Sequence, residues 1–268
     1  MCIRDSGNCV QITEQTERSE EIIITACGQV ETENMLGVFG SHDNLLPIAL
    51  YRRVTNYCEV GPTLKRMVSC VELKSDKLEF LHYLSSYVAK SVVYKIGTTD
   101  AATTAEESAS LGTGVCQDHV HIFLSCVREL GFPGRYVSGY LMLDDTKIQE
   151  ASHAWAEVYI EHLGWVGFDI SNSISPDNRY VKLAVGFDYS DVIPISGIRV
   201  GDSDEKINTK IIIETKKELI NLIKSKNLID VRTPSFLNTK LLIRKDKNLV
   251  ELKERLKQID LIDNIFIH

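Results

Sequence analysis

A thiol, an imidazole and a carboxylate stand in three short segments of this chain: Gly114-Val115-Cys116-Gln117-Asp118-His119, Ser152-His153-Ala154-Trp155 and Gly164-Trp165-Val166-Gly167-Phe168-Asp169. Together these groups can carry out nucleophilic acyl chemistry. A cysteine attacks a carbonyl as its thiolate, a histidine can take up and return the proton, and a carboxylate can hold the imidazole in the productive tautomer. Taken singly, each has an ordinary explanation: a buried structural thiol, a solvated strand histidine, a turn-forming aspartate at a strand end. Only as a set do they point to catalysis.

The elements that must position them can be read from periodicity. After Gly112-Thr113-Gly114, the residues Val120, Phe123, Val127 and Leu130 recur at helical spacing, and Gly131-Phe132-Pro133 stops the run. Thr113 or Gly114 is the expected N-cap, which puts Cys116 in the first helical turn. Unpaired N–H groups and the positive end of the helix dipole favour a thiolate there and could donate to an oxyanion. Cys126, on the same helix, fits a buried structural thiol. Residues 151–160 alternate, with His153, Trp155, Glu157 and Tyr159 opposed to Ala154, Ala156, Val158 and Ile160. This predicts a half-buried strand with its small and branched residues inward. Gly164 to Ile170 alternates as well, so a turn around His162-Leu163-Gly164 predicts an antiparallel hairpin. A loop with an odd number of residues puts His153 and Asp169 on one face as diagonal neighbours; an even loop separates them. Upstream, Ser75-Asp76 caps a helix with a buried stripe of Leu78, Leu81, Leu84/Ser85 and Val88. Thr104-Ala105-Glu106-Glu107 is a capping box for a short helix ending at Leu111-Gly112, which delivers the chain to the Cys116 turn.

In this order and setting, the three residues resemble the transglutaminase-like superfamily, a papain-like thiol fold, and are closest to its bacterial members. The likeness runs from Gly7-Asn8 through the capping box, the Cys116 segment, Arg135-Tyr136-Val137-Ser138-Gly139-Tyr140, Ser152 to Glu157 and Trp165 to Asp169, and on to Leu183-Ala184-Val185-Gly186, Asp188-Tyr189-Ser190-Asp191-Val192 and Pro194. The resemblance implies an α+β fold in which a helix bearing Cys116 at its start packs on an antiparallel sheet. It also implies Cys116 as nucleophile, His153 as general base and acid, and Asp169 as orienter of His153. Where the family usually has Asp-Pro-Thr-Asn, this chain has Asp169-Ile170-Ser171-Asn172, which changes the turn and keeps the carboxylate. Trp155, Gln117 and His119 are the candidates for substrate or oxyanion contacts. For Trp155 a groove wall and an ordinary strand aromatic remain alternatives, and for His119 packing beside the nucleophile or in the core.

Other functions fit poorly. Cys116, Asp118, His119 and His121 do not make a zinc site: on a helix His121 points away from Cys116 and His119, and no second ligand pair stands at zinc spacing. Asp144-Asp145 and Asp188/Asp191 lack calcium-loop spacing. No metal or other cofactor is therefore expected. The chain has 268 residues, 44% hydrophobic, with a formal net charge of −7, which gives no reason to expect nucleic acid as a partner. No apolar run reaches membrane-spanning length, so no membrane partner is expected. Seven cysteines without framework spacing suit a reducing compartment, and a cytoplasmic location is expected. The expected partner is a protein or peptide substrate, and the oligomeric state is open.

The expected organisation has four parts. Met1-Cys2-Ile3-Arg4-Asp5-Ser6, without periodicity, reads as a non-native scar over residues 1–6. Residues 7–70 read as part of an amino-terminal β-rich domain, with strands around Val10, Ile12, Ile22 to Ile24 and Val30, followed by a loop-rich stretch in which Gly61-Pro62 is a breaker. Residues 71–214 are the expected core, ending in a strand through Lys210 to Glu214. Residues 215–268 read as an appended α/β tail, possibly foreign, with helices over Leu219–Ile223 and Leu249–Ile259 and strands near 228–232, 241–244 and 264–268. Gly and Ala are absent after Gly201, and residues 205–268 carry 14 Lys or Arg against 9 Asp or Glu.

Overall fold

The computed structural model describes residues 2–3, 7–12, 14, 22–24, 26, 28–41, 46–143, 148–149, 151–197, 207–215, 241–243 and 265–267. The chain divides into two compact units, residues 1–13 with 32–211, and residues 14–31 with 212–268. The first holds the candidate site. The elements that frame that site, in chain order, are β1 (Val38–Gly40), α1 (Pro62–Ser69), α2 (Lys77–Ser91), β2 (Val93–Tyr94), α3 (Ala105–Leu111), β3 (Thr113–Gly114), α4 (Cys116–Glu129), β4 (Gly134–Leu141), β5 (His153–Ile160), β6 (Gly164–Phe168) and β7 (Tyr180–Gly186). The last four strands and β1 form one antiparallel sheet in the order β7-β4-β5-β6-β1. Helix α4 lies on one face of it, and the fold is α+β as the sequence indicates.

Helix α4 is the core of the unit. Val120, Ile122, Phe123, Leu124, Cys126 and Val127 are at most 1% exposed. They pack with Ala154, Ala156 and Val158 of β5, Val166 and Phe168 of β6, and Phe80, Leu81, Leu84 and Val88 of α2. Every residue of α4 from Asp118 to Arg128 is buried, the polar ones included, so the helix is covered on every side. α1 supplies part of the cover through Leu64 and Met67. Pro62, expected to break the chain, is the first residue of α1, where its fixed φ suits a helix start and its missing N–H is not needed. Asp76 caps α2 as expected, its Oδ1 accepting from the backbone of Leu78 and Glu79.

The expectation of a half-buried β5 is corrected: both of its faces are covered. Trp155 is 1% exposed and Glu157 0%. On this second face Trp155 joins Val137, Leu141 and Tyr180 in a smaller apolar cluster. The buried Glu157 carboxylate accepts from Arg135 Nε at 2.8 Å and from Lys182 Nζ at 2.5 Å, and the Arg135 guanidinium lies 4.0 Å above the Trp165 ring. A charged residue on a strand normally signals solvent, but two cations and their aliphatic stems seal this one.

The boundary expected at residue 70 separates no two cores, since β1 is the edge strand beside β6 and Cys58, Leu64 and Met67 lie in the α4 core. Of the amino-terminal strands expected, Cys9–Val10 forms, paired antiparallel with Cys2–Ile3. The described residues around Ile22, Ile23, Ile24 and Val30 carry no strand and are exposed. Asn8 hydrogen-bonds both backbone groups of Val185, so its side chain extends the edge of β7. The expected strand at Lys210–Glu214 is present as Ile211–Ile212. In the second unit, Leu241–Ile243 and Ile265–Ile267 pair in parallel. The helices expected at 219–223 and 249–259 and the strand at 228–232 lie outside the described residues.

Candidate active site

Three local structures deliver Cys116. The capping box at Thr104 is complete: Thr104 Oγ1 accepts from Glu107 N at 3.3 Å, and the Glu107 carboxylate accepts from Thr104 N at 2.8 Å. Helix α3 ends on Gly112, whose φ of +68° is a left-handed conformation that glycine adopts without a Cβ penalty. Thr113 and Gly114 then pair in parallel with Val93 and Tyr94. Because this pairing occupies Thr113 and Gly114, neither is the N-cap as expected; Val115 takes that place, and Cys116 is the first residue of α4. Valine offers no side-chain acceptor, so only half of a capping box exists: Asp118 Oδ2 accepts from Val115 N at 2.7 Å. The same oxygen accepts from Thr99 Oγ1 at 2.7 Å. Gly114 must be glycine for space, since a Cβ there would lie 2.6 Å from Asp118 Cβ and from Ser108 Oγ.

The hairpin meets the condition set by its sequence. Ile160 pairs with Gly164, so residues 161–163 form a three-residue loop and the odd-numbered positions of both strands share a face. Asp169, just beyond β6, reaches diagonally to His153, and its Oδ2 lies 2.6 Å from His153 Nε2. Two further residues hold that carboxylate. Tyr180 Oη donates to Oδ2 at 2.7 Å, and Asn172 donates through Nδ2 to Oδ2 at 2.8 Å and through its backbone N to Oδ1 at 3.1 Å. Asp169 is fully buried, and burial would raise its pKa, but the hydrogen bond and charge of His153 with the Asn172 and Tyr180 donors hold it below the ordinary value. Burial would lower the pKa of His153. Hydrogen bonds to Asp169 and Cys116, with the charges of both, outweigh that and bring it up to about 10. Nε2 is committed to Asp169, which leaves Nδ1 as the ring nitrogen for Cys116. The half-buried Cys116, the His153 imidazole and the Asp169 carboxylate thus stand as neighbours in that order.

Trp155 is buried beneath this array, its ring 6.5 Å from that of His153 and edge-on to Tyr180 at 5.4 Å. It packs as a rigid backing for the histidine. Gln117 turns outward, its Nε2 donating to Ala101 O at 3.1 Å. His119 is 2% exposed and uses both ring nitrogens, with Nδ1 2.9 Å from Ser171 Oγ and Nε2 2.9 Å from Val92 O. His121 points elsewhere, into the core between Tyr57 and Tyr136, and burial brings its pKa down to about 3. Among the described residues no cluster of His, Cys, Asp or Glu could hold a metal ion. Among them, too, no helix is long and apolar enough to cross a membrane.

A pH effect follows from the His153–Asp169 pair. The folded state holds the His153 proton up to about pH 10, whereas the unfolded histidine releases it near 6.5. Between those values the native state binds more protons, so this contribution to stability is complete below about pH 6.5 and is lost as pH rises through about 10. Urea midpoints of the wild type should fall across that window more steeply than those of Asp169→Asn. Equal slopes would contradict the pairing.

Residues 65–170 match the family model of the transglutaminase-like superfamily, an interval that includes Cys116, His153 and Asp169. Protein ML0607 of Mycobacterium leprae is 28% identical over 208 residues, covering 68% of this chain and 69% of that protein. Protein Rv2569c of Mycobacterium tuberculosis is 34% identical over 144 residues, covering 50% of this chain and 46% of that protein. The chain therefore spans less than half the length of this second relative. A crystal structure of a candidate cysteine protease from Cytophaga hutchinsonii shares the fold, with a TM-score of 0.52, 24% identity, and coverage of 69% of this chain and 61% of that one. The helix that starts at Cys116, the His153 hairpin and these matches agree in likening residues 65–170 to the transglutaminase-like superfamily.

Proposed function

We propose that this protein is a thiol-dependent acyl-transfer enzyme acting on peptide or carboxamide groups through Cys116, His153 and Asp169. The observation that carries the reading is the 2.6 Å contact from His153 Nε2 to Asp169 Oδ2 on one ring edge, with Cys116 among the groups that raise the pKa of the same imidazole. In this mechanism the Cys116 thiolate attacks the carbonyl carbon of the substrate. The first-turn N–H groups of α4, which have no partner inside the helix, are the donors this reading assigns to the developing oxyanion. The His153 imidazolium gives its proton to the departing amine or ammonia, the C–N bond breaks, and a thioester remains on Cys116. His153, now neutral, takes a proton from the second nucleophile as it attacks the thioester, and the thiolate departs.

An amine as second nucleophile gives an amide cross-link, and water gives hydrolysis. The cysteine-protease description of the Cytophaga hutchinsonii protein keeps peptidase or amidase action as the second reading. The substrate in either reading is a protein or peptide, and the chemistry needs no cofactor. A thiol nucleophile works in a reducing compartment, and on that ground we assign the reaction to the cytoplasm.

The test is to incubate the protein with a glutamine-containing peptide, with and without a labelled primary amine, and to measure ammonia, peptide fragments and incorporated label. Label above a Cys116→Ala control supports transfer, and ammonia or fragments without added amine support hydrolysis. No product above that control would overturn the reading.

A further inference from the structure

We propose that His119 and Ser171 form a positioning pair that locks the Asp169 turn onto the start of α4 and so sets the alignment of His153 with Cys116. This rests on the catalytic reading above. The backbone carbonyl of Val92 can only accept, so His119 Nε2 carries the ring proton and donates to it. Nδ1 then has a free lone pair and accepts from the Ser171 hydroxyl at 2.9 Å. His119 is 2% exposed, and burial holds its pKa below the ordinary value, which keeps the ring neutral at neutral pH.

Each end of the pair is fixed to a different part of the site. His119 is three residues after Cys116, one turn along the same helix, and its N–H bonds the carbonyl of the N-cap Val115 at 3.0 Å. Ser171 lies between Asp169 and Asn172 in a turn closed by Asp169 N to Ile174 O at 2.9 Å and Ile174 N to Asp169 O at 3.2 Å. In that turn Asn172 makes two hydrogen bonds to the carboxylate, so the turn and the carboxylate move as one body. Val92, the third contact, is followed by Val93, whose N–H bonds Gly112 O at 2.9 Å. One neutral imidazole therefore ties together the nucleophile helix, the carboxylate turn and the strand beside the Cys116 approach. The hairpin does not couple these parts by itself, because Asp169 lies beyond the last paired residue of β6. A displacement well under 1 Å at a catalytic contact is enough to lower a rate.

The experiment reads the His153 titration by NMR of histidine-labelled protein, so it does not depend on knowing the substrate. Ser171→Ala removes one hydroxyl at a half-buried turn, His119→Phe keeps ring volume without the hydrogen bonds, and Ser171→Thr restores the hydroxyl. In the wild type His153 should titrate far above an ordinary histidine. Ser171→Ala and His119→Phe should each lower it by about one pH unit, the double variant should go no lower than either, and Ser171→Thr should match the wild type. With a substrate in hand, kcat should fall roughly tenfold with KM unchanged. If the wild-type His153 titrates ordinarily, the triad reading is overturned, and the positioning pair with it. If it titrates high and Ser171→Ala leaves it there, even with a lower melting temperature, the pair is merely structural and this proposal alone is overturned.

Discussion

Replacing Cys116 by alanine should lower acyl transfer by roughly 10⁴-fold or more, the scale on which removal of a covalent nucleophile acts. The fold should survive. Cys116 is half-buried at the edge of the core and the substitution removes a single sulfur, so the stability cost should stay near about 1 kcal/mol. The same substitution removes one of the two groups that raise the His153 pKa, so His153 should titrate lower than in the wild type, still held up by Asp169. Product assays, a urea melt and histidine NMR together separate this outcome from simple unfolding. Cys126 offers the control: it is buried in the same helix, burial pushes its thiol up to about 12, and Cys126→Ala should leave the per-molecule rate intact.

Asp169→Asn should have the second largest effect, and it should act on rate and stability together. The native carboxylate accepts from His153, Tyr180 and both donors of Asn172. An amide keeps one acceptor and introduces an N–H₂ among those donors, so at least one buried group loses its partner at about 2 kcal/mol. His153 also loses the neighbour that fixes its tautomer, and in a comparable triad that loss costs about 10⁴ in kcat. A drop in kcat of about 10²–10⁴, with a lower urea midpoint, is expected. Tyr180→Phe removes a single donor, so it should cost less in both measurements.

Much of this site could be read from the chain because its main determinants are local. The α4 periodicity, the capping box at Thr104 and the parity of the hairpin loop each depend on residues close in sequence, and each has the form expected. Asn172 was within reach of the same kind of reasoning, since an aspartate three residues before an asparagine in a turn is a common local hydrogen-bond pairing. Tyr180 was not, because its phenol meets Asp169 only after β7 crosses to the far edge of the sheet. His119 was noticed as a neighbour of the nucleophile, but its partners Ser171 and Val92 come from distant segments with no spacing signal.

The misreadings share a physical origin. A strand carrying Glu157 suggests a solvated face, yet Arg135 from adjacent β4 and Lys182 from β7 beyond it neutralise and cover it. Thr113 and Gly114 look like cap residues, but Val93 and Tyr94 claim their backbone groups first, and the cap shifts to Val115 with help from Asp118. In each case a partner remote in sequence overrode a sound local preference. The positions of Cys116 and of His153 beside Asp169 escaped this because the α4 periodicity and the hairpin parity are fixed by short-range geometry.

The most direct test of the central claim is to look for the covalent intermediate. Protein quenched in acid during turnover of a glutamine peptide, then digested and analysed by mass spectrometry, should carry the acyl mass on the peptide containing Cys116. Hydroxylamine should remove that mass, and it should be absent from Asp169→Asn at the same early time. A peptide that turns over without any adduct on Cys116, or an adduct spread equally over Cys116 and Cys126, would contradict the account.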